Sequence, residues 1–351
     1  MKNCQPTKNF WLDLTKPFFA LAPMYDVTDA AFRAMFVRHS KSRAKSDLAT
    51  RDTTSHDLVL FTEFVSADGL ASEAGRLKLR RELYYTEAER PIVAQIFGSK
   101  LESIEQAIKL VKELGFDGVD INMGCPDRAV EKQGAGAALI KNPKLAREII
   151  AAAKKAAGKM PVSVKTRIGY NKIDFDWIQT ILDAKPDAVT FHLRTRKEMS
   201  DVPAHYEVVP EIVRIFKSSG IPIIINGDVK SVEEGQELVK KYSIDGVMIG
   251  RGAFGKPWVF AKDAVRSRIS GSLEKRLRMA VEHSKLFWDL YGDTQTNQKL
   301  FNGHTKNFAV MRKHFKAYAS GFKGATALRA KLMQANNPDE VEKIIDEFLL
   351  D

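Results

Sequence analysis

The sequence predicts an α/β fold: a closed (β/α)8 TIM barrel followed by a C-terminal all-helical domain. Three observations carry this. Eight short apolar, β-branched runs each end in Gly, Pro or polar residues. Stretches of helical periodicity separate them, and eight such alternations in about 250 residues are what a closed barrel requires. After residue 260 the strand signals stop and only helical patterns follow. A chain of 351 residues, at about 100 to 200 residues per domain, accommodates a barrel over 1–260 and a smaller helical domain over 261–351.

In chain order the candidate strands are 18–24 (FFALAPM), 58–64 (LVLFTEF), 91–98 (PIVAQIFG), 118–124 (GVDINMG), 161–167 (PVSVKTR), 188–194 (AVTFHLR), 222–228 (PIIINGD) and 246–252 (GVMIGRG). Helical patterns lie between them, among them 101–114, 143–157, 207–218 and 231–242, several opening with Ser or Asn as a cap. The C-terminal helices are expected over 272–291, 306–321, 324–333 and 338–350. One stretch, 38–57, is irregular, polar and basic and reads as a solvated loop. No repeat is visible beyond the βα unit itself.

Composition narrows the function classes. Hydrophobic residues make up 44% and charged residues 28%, which excludes wholesale disorder and collagen-like or coiled-coil architectures. No apolar run reaches the length of a membrane span and the N-terminus lacks a secretory apolar stretch, so a cytoplasmic protein with no membrane partner is expected. The two cysteines, Cys4 and Cys125, are too few for a disulfide framework or a cysteine-based zinc site. Any chemistry at Cys125 is therefore thiol chemistry. No His, Asp or Glu cluster has ligand spacing, and no metal is expected.

Barrel enzymes work at the C-terminal ends of their strands, so the strand ends hold the candidate site. The fourth run leads into Asn122-Met123-Gly124-Cys125-Pro126, and the flanking Gly and Pro put the thiol in a loop rather than in the core. The small residues 134–138 need only a tight loop-to-helix junction. The fifth run ends in Lys165-Thr166-Arg167; an inward lysine neutralises an anionic ring or, when desolvated, forms a Schiff base. Gln95 and His192 offer hydrogen bonds at the same level. The seventh and eighth runs end in Asn226-Gly227-Asp228 and Gly250-Arg251-Gly252, the pair of loops where such barrels bind phosphate. The string 250–255 (GRGAFG) also fits a dinucleotide fingerprint, but the strand and acidic residue that should follow are missing. A phosphate site, a cation, amides and a thiol around one cavity suit flavin mononucleotide (FMN) better than a metal.

Charge points to a polyanionic partner. Lys plus Arg number 55 against 44 acidic residues, a net +11. Between 299 and 338 there are eight cations (Lys299, Lys306, Arg312, Lys313, Lys316, Lys323, Arg329 and Lys331) and no acid. Phe301, Phe308, Phe315, Tyr318 and Phe322 interleave with them; the aromatics read as core and the cations as a face for nucleic-acid phosphates.

These residues resemble the tRNA-dihydrouridine synthases, from Ala22 to about Met333. The resemblance rests on APMYDVTD, TEFVSADGL, QIFG, DINMGCP with its V-x-x-x-G-x-G-A-A-L continuation, VKTRIG, H-x-RTR, NGD, GVMIGRGAFGKPW and MRKH. It implies an FMN-dependent enzyme that reduces the C5–C6 double bond of particular tRNA uridines, with NADPH or NADH as reductant. By motif, Pro23, Met24 and Tyr25 would line the flavin ring, Gln95 and Lys165 bond its polar edge, and His192 face it. Asn226, Gly227, Asp228, Gly250 and Arg251 would hold the ribityl phosphate. Cys125 would be the catalytic acid. Asn122, Arg167 and Arg194, with Arg312, Lys313 and Lys316 of the helical domain, would contact the RNA.

Two segments depart from the family pattern: Leu193 stands where Gly is usual, and 198–206 (EMSDVPAHY) replaces a Y-x-G-x-A-D-W type of segment. With the 38–57 loop, they leave the modified uridine and the class of RNA open. Oligomeric state is not fixed by the sequence, and a monomer is compatible with it. The competing readings are a flavin barrel acting on a small molecule, an RNA binder without catalysis, and an aldolase using Lys165.

Overall fold

The computed structural model describes residues 9–40, 57–261 and 272–350. Cys4 and most of the 38–57 stretch lie outside them. Among the described residues the chain forms two compact units, one of residues 9–25 and 57–250, the other of 26–40, 251–261 and 272–350.

The first unit is the expected barrel. Strands β1 (Phe18–Leu21), β2 (Leu58–Ser66), β3 (Ile92–Phe97), β4 (Gly118–Met123), β5 (Val162–Arg167), β6 (Ala188–His192), β7 (Ile223–Asn226) and β8 (Gly246–Ile249) close in sequence order. Every pairing is parallel, β8 returning to β1. The runs read from the sequence locate all eight, but β1 stops at Leu21 and β8 at Ile249. The last residues of those two runs, Ala22-Pro23-Met24 and Gly250-Arg251-Gly252, belong to the loops instead.

Helices cover the barrel where the patterns placed them, at Leu101–Glu113, Pro143–Ala157, Val209–Phe216 and Val232–Tyr242. Asn142 caps the second of these by accepting the Leu145 N–H (3.2 Å), with Pro143 in the first turn; Ser231 caps the last through Glu234 N–H (3.3 Å). The barrel's N-terminal end is plugged. Trp11, on the short helix Phe10–Asp13, is fully buried with its ring 5.9 Å from Phe18 and 6.2 Å from Phe61. Ala20, Val59, Val93, Ile224 and Met248 complete that layer.

The second unit joins the helix Ala30–His39 to the C-terminal helices Leu273–Tyr291, Gln295–Phe301, Arg312–Tyr318, Ala325–Leu332 and Pro338–Leu350. Glu282 accepts from Arg38 (2.9 Å) and His39 (2.7 Å), which hold its carboxyl down at about 2. The expected helix over 306–321 is broken: Asn307 caps a 3-10 turn, Phe308–Met311, before the α-helix begins at Arg312. No helix among the described residues is long and apolar enough to cross a membrane.

At the centre of this unit His283 and His314 pack edge to face, 4.5 Å between ring centres, against Phe32 and Tyr318. Both are buried and none of their ring nitrogens has a hydrogen-bond partner. Burial drives His283 down to about 3 and His314 well below its usual range. The unfolded chain binds protons at these histidines near pH 6.5 while the folded chain does not, so stability is lost as pH falls from 6.5 toward 3. Each histidine should steepen that loss by about 1.4 kcal/mol per pH unit. Urea unfolding of wild type and His283→Phe across this range should give a shallower pH slope for the variant; equal slopes would refute the assignment.

Candidate active site

Parallel register places functional side chains of neighbouring strands in layers at the open end of the barrel. Gln95 pairs with Asp120 and Asp120 with Ser163; two residues further along, Asn122 pairs with Lys165, and beyond Lys165 on β5, Arg167 pairs with His192 and His192 with Asn226. Chemistry then fixes their orientation.

The backbone N–H groups of Gly124 and Cys125 can only donate, and both donate to Asn122 Oδ1 (3.0 and 2.8 Å). Asn122 therefore turns its nitrogen to Gln95 Oε1 (2.9 Å), and Gln95 must turn its own nitrogen to Asp120 Oδ2 (2.7 Å). Ser163 donates to the other oxygen of Asp120 (2.6 Å). Asp120 is fully buried, and loss of hydration raises its carboxyl to about 6 against the pull of Ser163, Gln95 and Lys165. At neutral pH it is an acceptor, and every amide in the relay is thereby oriented.

Cys125 stands at the end of this relay with a free, half-buried thiol. Phe64, Phe97, Val130 and Ala135 form the apolar wall beside it. Burial pushes the thiol above its ordinary range, opposed by the Asp127 backbone and by the cations Arg167 and Lys165. It is thus held protonated. Lys165 is partly open at the barrel mouth, yet the protein packed around its ammonium, with Arg167 nearby, lowers it to about 8. Its one hydrogen bond is to Asn226 Oδ1 at 3.3 Å, and Asn226 Nδ2 donates to Met248 O (2.8 Å). An ammonium carries three donors; this one has capacity left for an acceptor at the mouth.

Arg167 and Arg194 are committed within the protein. Arg167 donates to the carbonyls of Gly124, Thr195 and Met199, each at 2.9 Å, tying the loop after β4 to the loop after β6. Arg194, 2% exposed, donates to Val202 O (2.6 Å) and pairs with Asp228. Its Nη1 lies 3.4 Å from His192 Nε2; because arginine only donates, that nitrogen is the acceptor. Asp228 also accepts from Ala204 N–H (3.0 Å). The segment 198–206 is therefore folded back onto the ends of β6 and β7. Leu193 is fully buried there, its N–H on Asn226 O (2.9 Å) and its carbonyl on His205 N–H (2.8 Å). Gly227 makes the room: at φ +139°, an added Cβ would come within 2.9 Å of Ala204 Cβ.

Tyr25 is 61% exposed, its ring 5.6 Å from Phe64. Met24 packs on the barrel core beside Gly250, where an added Cβ would meet only ordinary contacts at 3.5 Å or more. Nothing in this unit demands glycine at 250. Arg251, Arg312, Lys313 and Lys316 lie in the second unit. On the helix Arg312–Tyr318, Arg312 and Lys316 are exposed and Lys313 half-buried, while His314, Phe315 and Tyr318 are buried, so cations and aromatics segregate to opposite faces. Among the described residues no group of three or more His, Cys, Asp or Glu is placed to hold a metal.

Sequence reasoning missed Asp120, Glu131 and Arg196. Asp120 had a signal, since strand alternation puts it on the same face as Asn122. Glu131 and Arg196 fall inside the quoted V-x-x-x-G and H-x-RTR motifs, but their meeting across 65 residues had no local signal.

Fold and site together define a (β/α)8-barrel enzyme with a half-buried thiol and a desolvated lysine at its strand ends. The family model described as "Dihydrouridine synthase (Dus)" matches residues 20–351, and the chain belongs to that family. It is 39% identical over 346 residues to "Probable tRNA-dihydrouridine synthase" of Staphylococcus aureus (strain COL), covering 97% of this chain and 96% of the relative. To "Probable tRNA-dihydrouridine synthase 2" of Bacillus subtilis (strain 168) it is 39% identical over 347 residues, 97% of each. Among solved structures, histamine dehydrogenase from Rhizobium sp. 4-9 aligns with a TM-score of 0.50 at 14% identity, over 76% of this chain and 48% of that one, a likeness of fold.

The thiol's protonation is measurable. In a Cys4→Ser background, the alkylation rate of Cys125 should titrate above the ordinary range of a free cysteine, and Lys165→Met should push it higher by removing a cation that favours the thiolate. A midpoint below that range would contradict the site's electrostatics.

Proposed function

We propose that the enzyme reduces the C5–C6 double bond of uridines in tRNA to give dihydrouridine, with Cys125 as the acid. The observation that carries this reading is the free Cys125 thiol, held neutral at the strand ends beside Lys165. Family membership and the names of the curated relatives support it.

The strand ends fit a flavin. The Lys165 ammonium, with a long hydrogen bond to Asn226 and donor capacity left, suits the electron-rich edge of a flavin ring; Gln95, though fully buried, is assigned to the same edge. We assign Pro23, Met24, Tyr25 and His192 to the ring. Asn226, Gly227, Asp228, Gly250 and Arg251 are assigned to the phosphate arm of flavin mononucleotide. Flavin mononucleotide, when bound, supplies the hydride for C6 of the uracil, drawn in turn from NADPH or NADH.

The chain's own residues do the rest. Cys125 gives its proton to C5, completing addition of a hydride and a proton across the double bond, and the resulting thiolate recovers a proton from solvent. A thiol with a raised pKa suits an acid that must stay protonated at neutral pH. Asn122 fixes the backbone from which that thiol projects. Arg167 and Arg194, with their donors on backbone and Asp228, shape the loops around the uridine. The outward cations of the helix Arg312–Tyr318 are assigned to RNA phosphates.

Two experiments test this reading. Unmodified tRNA incubated with enzyme and NADPH should gain two hydrogens at particular uridines. Cys125→Ala should slow that gain by about 10²- to 10⁴-fold while leaving NADPH oxidation by the flavin-loaded protein nearly intact. A protein that takes up no FMN, or an alanine variant as fast as wild type, would overturn it. tRNA affinity should fall roughly a thousandfold between about 50 and 200 mM salt if some six phosphates are contacted. It should fall further on charge reversal at Arg312, Lys313 and Lys316. Affinity that is flat with salt and with those reversals would instead favour a small-molecule substrate.

A further inference from the structure

Besides Asn122 and Arg167, a second set of side chains grips the Cys125 loop. Glu131, on the short helix Arg128–Glu131 just beyond the thiol, is paired with Arg196 of the loop after β6 through both Nε (2.8 Å) and Nη2 of the guanidinium. The Glu131 side chain is 12% exposed and that of Arg196 23%. Arg196 Nη2 also reaches Pro126 O at 3.4 Å, the carbonyl immediately after Cys125. Against the opposing effect of burial, Tyr170, from the loop after β5, helps with Arg196 and Lys141 to hold the same carboxyl below its usual range. Its ring carries Lys141 at 4.4 Å and the Arg196 guanidinium at 5.6 Å. Backbone bonds from Arg196 N to Gly169 O (2.9 Å) and from Lys197 N to Tyr170 O (2.8 Å) fasten the two loops together.

The peptide groups around the thiol are thereby constrained from several directions. Gly124 and Cys125 N–H rest on Asn122. Gly124 O is held by Arg167, Cys125 O by Ala137 N–H (2.9 Å), and Pro126 O by Arg196. Most of these contacts lie inside the barrel mouth; Glu131–Arg196 is the tie that joins three loops at once. Two donors of one guanidinium converging on Glu131 Oε2 fix the direction of the contact as well as its distance, which the single ammonium of a lysine in the same place does not.

We propose that Glu131 and Arg196 are positioning residues for the acid step, holding the loop so that the Cys125 thiol lies within reach of the uracil C5. This rests on Cys125 being the acid. Both act through Cys125 and touch neither substrate nor cofactor. Displacing a reacting group by about 1 Å costs on the order of 100-fold in rate, so loss of the tie should slow proton delivery roughly 10- to 100-fold.

The test uses full-length, flavin-loaded enzyme reduced with NADPH and mixed with unmodified tRNA in a single turnover, in wild type, Glu131→Gln, Arg196→Ala, Arg196→Lys and Cys125→Ala. Glu131→Gln preserves the shape of the side chain and keeps the comparison valid should Arg196→Ala fold poorly. Glu131→Gln and Arg196→Ala should each slow dihydrouridine formation by that factor, with tRNA affinity and the rate of NADPH oxidation unchanged, and Arg196→Lys should recover only part. Placed in the Cys125→Ala background, neither should slow the reaction further, because the group they position is gone. Losses that multiply in that background, or variants as fast as wild type while Cys125→Ala is slow, would overturn the positioning role alone. If Cys125→Ala is itself as fast as wild type, the acid assignment fails and the positioning role with it.

Discussion

The Asn122 side chain ties the backbone of the thiol loop to the interior of the barrel. Its oxygen takes the N–H groups of Gly124 and Cys125. Its nitrogen is anchored through Gln95 to Asp120, a carboxyl with no exposure to solvent. Backbone donors at one end and a buried acceptor at the other leave the two amides a single consistent orientation. A flipped amide would face donor to donor inside a dry core, at a cost of about 1 to 3 kcal/mol for each unsatisfied group. The place from which the Cys125 side chain projects is thus set by buried groups on its own strand and on the neighbouring β3.

That arrangement depends in turn on the closed sheet. Gln95, Asp120 and Ser163 are neighbours because β3, β4 and β5 run parallel in a register that aligns them; a slip of one residue would turn each to the opposite face. With the other end of the barrel filled by Trp11 and its layer, the buried polar relay runs toward the open end. Desolvation moves the groups there: it keeps the thiol neutral and lowers Lys165 to about 8, still mostly an ammonium at neutral pH. The same physics in the second unit, applied to His283 and His314, serves packing alone.

How much of this could be read from the sequence follows from the range of the interactions. The strands were legible because apolar runs ending in Gly or polar residues are local, and with them the strand ends carrying Cys125, Lys165, Asn226 and Gly227. The segregation of Phe315 and Tyr318 from Arg312 and Lys316 was legible in the same way, from helical spacing. What escaped notice is non-local. Arg167 and Arg194 read as RNA contacts; that Arg167 also holds carbonyls 28 to 43 residues distant, and that Arg194 pairs with Asp228, is not visible in the sequence. Glu198–Tyr206 looked like a departure at the mouth. It is held to β6 and β7 by Arg194, Asp228 and the Tyr206 hydroxyl, which donates to Gly227 O. Leu193 in place of a glycine is fully buried, with its N–H on Asn226 O and its carbonyl accepting from His205 N–H.

The central claim is that a fixed thiol delivers a proton to one face of the uracil. Its most direct test is the stereochemistry of that delivery. Reaction in deuterium oxide, followed by NMR of the isolated dihydrouridine, should show deuterium at C5 in a single configuration for the wild-type enzyme and in both for Cys125→Ala, where water approaches from either side. A wild-type product with deuterium scrambled at C5, or a Cys125→Ala product still confined to one configuration, would contradict it.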